Sequence, residues 1–128
     1  MKMTAAHLLA QTVAFAILAL PAMADPDITT AETSIGAVLV DGKGMTLYTF
    51  DADKDGKSAC YDQCAQNWPP VMGDADDAPG GDYGLTERTD GSQQWTYKGM
   101  PLYTWVKDTK PGDVTGDGFK DVWHAAKP

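Results

Sequence analysis

The chain contains one sequence element twice. Residues 44–50 read Gly-Met-Thr-Leu-Tyr-Thr-Phe, and residues 99–105 read Gly-Met-Pro-Leu-Tyr-Thr-Trp. Aligning 36–73 with 91–128 without a gap gives ten identities in 38 positions, whereas unrelated chains would give about two from ordinary residue frequencies. Neither copy is long enough to bury a core alone. We therefore predict that the two repeats pack their apolar faces together in a single domain.

The first 24 residues have the features of a secretory signal peptide. Lys2 precedes an apolar run from Leu8 to Leu20, and Ala22-Met23-Ala24 has the small-x-small pattern of a cleavage site. The apolar run is shorter than the roughly 20 residues that a membrane span needs. We expect cleavage near Ala24, a soluble mature chain in the periplasm or outside the cell, and no integral membrane span in that chain.

The chain is acidic, which limits its partners. It has 18 Asp and Glu against 10 Lys and Arg, giving a net charge of −8, and removing Lys2 with the signal makes the mature chain more negative. Such a surface repels phosphate backbones and anionic lipids. Nucleic acid is therefore not expected as a partner, whereas cations, cationic proteins and neutral ligands remain open.

Cys60 and Cys64 are the only two cysteines. An even number of cysteines in an oxidising compartment favours a disulfide. Redox-active pairs are usually spaced C-x-x-C, but three residues separate this pair, so we predict a structural bond that closes a tight turn.

Short runs of β-branched and aromatic residues alternate with Gly, Asp and Pro turns, a pattern typical of strands and hairpins. We predict a mainly β fold: one small domain of two pseudo-equivalent β-hairpin or meander repeats, with a short disulfide-closed helical turn. The expected boundaries are a flexible leader at 25–34 and a two-repeat domain at 35–128. Within that domain we expect repeat 1 at about 36–73, an acidic connection at 73–84 and repeat 2 at about 85–128.

Both repeats carry a Tyr-x-aromatic-x-x-Asp motif, as Tyr48-x-Phe50-x-x-Asp53 and Tyr103-x-Trp105-x-x-Asp108. Other motifs occur with it in order, namely Cys60-x-x-x-Cys64, Trp68-Pro69-Pro70, Trp95-Thr96-Tyr97 and Trp123-His124. Over about residues 36–128 the chain resembles the bacterial secreted-repeat family of unknown function, whose members are predicted lipoproteins with this motif. The resemblance implies no established activity or site. It does not extend to lipid anchoring, because no cysteine follows Ala24 closely.

The aspartates that end the two motifs, Asp53 and Asp108, are predicted to cap turns by accepting backbone N–H groups. A catalytic pair of carboxylates is the alternative, but glycoside hydrolysis needs a fixed separation that the sequence spacing does not supply. No nucleophile motif such as G-x-S-x-G occurs. We expect no enzyme activity and assign no catalytic residue.

The loop at 51–62 fits D-x-D-x-D-G with an acid at the twelfth position, the pattern of a calcium-binding loop. Its candidate ligands are Asp51, Asp53, Asp55 and Asp62. The twelfth residue is Asp where the longer Glu is usual, so a solvated turn is the competing interpretation. We expect no cofactor, with calcium as the possible exception.

Copper held by His124 with methionines is a weaker alternative, since imidazole and thioether suit that metal. The competing interpretation is that the methionines fill gaps in the core. We predict a non-enzymatic, envelope-associated binding or structural module whose partner is an unknown ligand or envelope protein. A periplasmic protein that binds calcium, or less readily copper, is the alternative.

Overall fold

The structure, a computed structural model, describes residues 27–128. The predicted signal peptide at 1–24 and its cleavage site lie outside the described residues. As predicted, the fold is mainly β and consists of two pseudo-equivalent repeats. The elements are β1 (Thr29–Thr33), β2 (Gly36–Val40), β3 (Tyr48–Phe50), α1 (Gln63–Asn67), β4 (Met72–Gly73), β5 (Tyr83–Glu87), β6 (Gln93–Tyr97), β7 (Met100–Pro101), a 3-10 turn (Phe119–Asp121) and β8 (Trp123–Ala125).

The repeats exchange their final segments. In repeat 2, β6 lies at the centre of a sheet and pairs with β5, β7 and β4, although β4 belongs to repeat 1. In repeat 1, β2 pairs with β1, and its Leu39 donates its N–H to the carbonyl of Ala126 from repeat 2. Strand β8 likewise pairs with β3. Each sheet is therefore completed by the end of the other repeat, so neither repeat is complete alone.

A pseudo-two-fold axis passes between Tyr48 and Tyr103. These two residues pair with each other, each accepting the other's backbone N–H at 2.8 and 3.0 Å. Tyr48 also pairs with Ala125, and Tyr103 pairs in the same way with Pro70. The repeated tyrosines thus mark the centre of the molecule.

The gap-free alignment of the repeats is wrong for one strand. The pairing of Thr29 with Val40 corresponds to that of Gly84 with Thr96, so Val40 matches Thr96 and not Trp95. Between the equivalent pairs Thr33–Gly36 and Arg88–Ser92, the turn that joins β5 to β6 has one more residue than the turn that joins β1 to β2, and the next turn compensates. Because a one-residue slip would reverse the faces of a strand, the two changes must occur together.

Two of the predicted boundaries are also wrong. Residues 29–33 of the expected flexible leader form β1, because their backbone pairs with β2 and their threonines are β-branched residues that suit a strand. The expected connection at 73–84 is shorter, because Gly73 lies in β4 and Tyr83 already begins β5. The polar composition of these segments did not indicate strands, because their backbones are ordered by pairing with neighbouring strands.

The larger core is built on four aromatic rings stacked in a column. Trp68 and Trp123, which are equivalent in the two repeats, stack at a centroid distance of 3.8 Å. Phe50 stacks on Trp123 at 4.1 Å, and its equivalent Trp105 stacks on Trp68 at 3.9 Å. The column is therefore symmetric about the same axis. Large rings fill the space that short strands leave between them.

The predicted disulfide between Cys60 and Cys64 is confirmed, with 5.2 Å between the Cα atoms. Cys64 lies in α1, so the bond closes the short helical turn of repeat 1. Phe119 holds the matching place in repeat 2, where it packs on Trp105 at 4.9 Å. Within residues 27–128, no helix is both long and apolar enough to cross a membrane.

Candidate functional site

Hydrogen bonds between the two copies of the repeated motif join the two halves. The Tyr48 hydroxyl donates to Oδ2 of Asp108 at 2.7 Å, and the Tyr103 hydroxyl donates to Oδ2 of Asp53 at 2.7 Å. Each tyrosine therefore bonds the aspartate of the other repeat. This exchange could not be predicted from the sequence, because spacing within one repeat does not show which copy supplies the partner.

The second oxygen of each aspartate holds a loop. Oδ1 of Asp53 accepts the N–H of Ala59 at 2.7 Å, and Oδ1 of Asp108 accepts the N–H of Thr115 at 3.0 Å. Oδ1 of Asp108 also accepts the Thr115 hydroxyl at 2.6 Å. These are backbone-capping contacts of the kind that the sequence predicted. Both oxygens of both carboxylates are thus engaged within the fold.

Burial sets the protonation of these groups. It raises the pKa of the Tyr48 and Tyr103 hydroxyls well above the ordinary value of 10.0, so both remain neutral donors. Burial also raises the pKa of Asp53 above 3.8, although the bonds from Ala59 and Tyr103 act in the opposite direction. The remaining motif residues, Phe50 and Trp105, form the two ends of the ring column.

The structure does not bring the four predicted calcium ligands together. Asp53 is engaged as described above, and Oδ2 of Asp51 lies 2.9 Å from Nε2 of His124. Asp55 and Asp62 both have a positive φ of 55°, which is uncommon outside glycine but less so for aspartate than for most residues. Across residues 27–128, no three His, Cys, Asp or Glu side chains are grouped closely enough to hold a metal ion.

The half of the molecule around Tyr103 contains a buried polar network that the sequence analysis missed. Oγ of Ser58 lies 2.7 Å from the Tyr103 hydroxyl and accepts a hydrogen bond from Nη1 of Arg88 at 3.1 Å. Nη1 also donates to Oε1 of Gln94 at 2.7 Å, and Nη2 donates to the Cys60 carbonyl at 2.8 Å. The sequence does contain one indication of this network, since Arg88 is the only arginine in the chain.

Within residues 27–128, the half around Tyr48 has no counterpart of this network. Thr33 corresponds to Arg88, and Val38 corresponds to Gln94 by the strand register. The Tyr48 hydroxyl accepts only the N–H of Gly116, at 3.2 Å, in addition to donating to Asp108. The same scaffold therefore carries the uncharged side chains of Thr33 and Val38 in one half and a buried cation with Gln94 in the other.

A groove of about 620 Å³ opens where the repeats meet, on the side of the smaller core. Its lining includes two pairs of equivalent residues, Asp27 with Asp82 and Ile28 with Tyr83. The centroids of the Tyr97 and Tyr83 rings lie 5.0 Å apart. The groove thus combines apolar and aromatic walls with two aspartates, each just before the first strand of a repeat.

Comparisons with known proteins agree with the internal repeat. No curated protein and no solved structure was found to match the chain. The sequence model of a family described as a secreted repeat of unknown function matches twice, at residues 29–72 and 84–127. The two matches begin at β1 and within β5, the equivalent first strands of the repeats. The chain therefore belongs to this family of secreted repeats.

Proposed function

We propose that this protein is a non-enzymatic binding module that works outside the cytoplasm, in the periplasm or beyond it, after cleavage near Ala24. Its ligand site is the groove between the repeats, and its ligand is an organic cation with an apolar body. Membership of a secreted family supports export, while the compartment and the cleavage site belong to the proposal.

The proposal that the protein is not an enzyme rests on the engagement of its motif residues. A general acid or base must reach a substrate proton within hydrogen-bonding distance. Tyr48 and Tyr103 are fully buried, and their hydroxyls already donate to the aspartates of the opposite repeat. The motif therefore serves to join the two repeats.

The groove carries the proposal about the ligand. Small-molecule sites are concave and mostly apolar, with a few placed polar groups. Here two equivalent aspartates, Asp27 and Asp82, line the groove together with Tyr83 and Tyr97. Carboxylates attract an ammonium group by charge, and tyrosine faces attract it through the ring quadrupole. The net charge of −8 strengthens the attraction for any cation that approaches.

The test is calorimetric titration of benzyltrimethylammonium into the purified exported protein. We expect saturable binding that the paired change Asp27→Asn and Asp82→Asn weakens at least tenfold. The matched control is Asp55→Asn with Asp62→Asn, which removes the same charge outside the groove and should leave the affinity within about twofold, since exposed charges are screened by salt. Equal weakening in both variants, or no saturable binding, would show that the groove is not a cation site.

A further inference from the structure

We propose that a second pocket, beside Arg88, binds a ligand carboxylate. This pocket has a volume of about 310 Å³ and lies between the disulfide-closed turn and the end of β5, distinct from the groove between the repeats. Its lining is formed by Lys57, Ser58, Tyr61, Glu87, Arg88 and Thr89. The inference goes beyond the proposed function, because it concerns a different site and a ligand of opposite charge.

The first observation is that Arg88 is a buried cation whose direct hydrogen-bond partners within residues 27–128 include no carboxylate, although its charge acts on Asp53 and Asp90 from a longer distance. The Arg88 residue is only 7% exposed, yet its hydrogen-bond acceptors are the neutral oxygens of Ser58, Cys60 and Gln94. Buried charges in proteins are usually paired with an opposite charge. Within residues 27–128, the close contacts between basic and acidic side chains join Lys110 to Asp113 and His124 to Asp51, and neither involves Arg88.

The second observation concerns the donors that remain on the guanidinium. Three of its N–H groups are engaged, two from Nη1 and one from Nη2. The Nε–H and the other N–H of Nη2 have no acceptor within the described part of the chain. Two donors on one planar guanidinium suit a carboxylate, which accepts them in a bidentate pair.

The geometry around Arg88 is fixed before a ligand arrives. Its guanidinium carbon lies 4.3 Å from the centroid of the Tyr61 ring, a cation–π contact. The Tyr61 hydroxyl in turn accepts the N–H of Thr89 at 3.3 Å. A guanidinium held in this way loses little conformational freedom on binding, which favours affinity.

The third observation is that the fold does not require this cation. In repeat 1 the same strand positions hold Thr33 and Val38, and the sheet forms with the same pairing. The pseudo-symmetry thus provides an internal control for the role of Arg88. A buried charge that one half of the scaffold does without is better explained by recognition than by folding.

Charge at the pocket limits the class of anion. Lys57 and Arg88 supply two cations and Glu87 supplies one carboxylate, in a chain whose net charge is −8. This balance favours a single carboxylate over an oxyanion of higher charge, because the rest of the chain repels additional negative charge.

The test is an NMR titration of the exported protein with sodium acetate, compared with sodium chloride at equal ionic strength. We expect saturable shifts at the Tyr61 and Thr89 amides with acetate and not with chloride. Arg88→Gln should abolish them, and Lys57→Gln should weaken binding severalfold. Lys43→Gln is the matched control, because it removes one cation outside the pocket and should leave the affinity unchanged.

Each alternative result would overturn the proposal. Equal shifts with acetate and chloride would mean that the pocket responds to ionic strength alone. Tighter binding of inorganic phosphate than of acetate would reject the carboxylate as the ligand class. If Arg88→Gln fails to fold, the acetate titration is repeated on the unaltered protein, on Lys57→Gln and on Lys43→Gln. Equal effects of the two lysine changes on acetate binding would then exclude a site at this pocket.

Discussion

The halves around Tyr48 and Tyr103 share one scaffold but differ in what surrounds it. Asp108, the partner of Tyr48, is 6% exposed, whereas Asp53, the partner of Tyr103, is only partly buried. Beside Tyr103 the network of Ser58, Arg88 and Gln94 leads to a surface pocket. The comparison separates the tyrosine–aspartate pairs, which both halves have and which hold the halves together, from the network of Ser58, Arg88 and Gln94, which one half has.

The comparison predicts unequal effects of removing the two aspartates. Asp108→Ala should lower the free energy of unfolding by about 3 kcal/mol, because it leaves the buried Tyr48 hydroxyl and the Thr115 N–H without an acceptor. Asp53→Ala should lower it by only about 1 kcal/mol, because water can reach that side. Urea denaturation measures both. The exposed Asp76→Ala is the control and should have no effect, while equal losses for Asp53 and Asp108 would contradict the difference in burial.

The disulfide offers a second way to sharpen the comparison, since only repeat 1 has one. Changing Cys60 and Cys64 to Ala together should lower the stability by roughly 2 kcal/mol on the chain-entropy estimate for so small a loop. Phe119→Leu in repeat 2 keeps an apolar side chain at the equivalent place and should have a smaller effect, typically below about 1.5 kcal/mol. Thermal unfolding of both variants tests this order. A larger loss from Phe119→Leu would show that packing, not the covalent bond, holds these turns.

The smallest expected effect concerns pH. Burial raises the pKa of Asp53 above 3.8 in the folded protein, so the folded state binds this proton more tightly than the unfolded state does. Stability should therefore fall as the pH rises from the ordinary value through the raised one, by an increment that Asp53→Asn removes. Unfolding measured across that interval tests the sign. If the free energy of unfolding of the unaltered protein rose with pH relative to that of Asp53→Asn, the predicted sign would be wrong.

Much of this fold could be predicted from the sequence, because the internal repeat, the turn residues and the cysteine pair are local signals. The disulfide and the two-repeat β architecture follow from those signals. The exchange of partners between Tyr48 and Tyr103 could not be predicted, because it depends on pairing between distant segments. Strand β1 was missed for the same reason, since its polar threonines are ordered by β2 and not by their own periodicity.

The candidate sites were harder to predict than the fold. The calcium pattern at 51–62 satisfies a spacing rule, but the structure uses Asp53 to hold Ala59 and Tyr103. The Arg88 pocket depends on side chains that are far apart in sequence, such as Ser58 and Gln94. Spacing alone reveals a site only when one loop supplies all of its groups.

The reciprocal bonds between Tyr48, Asp108, Tyr103 and Asp53 have the form of an isologous dimer interface, in which the same patch on each partner contacts its own copy. Here the two partners are covalently joined through residues 74–82. The connection gives each partner a permanent high local concentration of the other, so assembly no longer depends on how much protein is present. The connection also allows the two repeats to differ in sequence. A symmetric dimer would place Arg88 in both halves, whereas the joined chain has it in one.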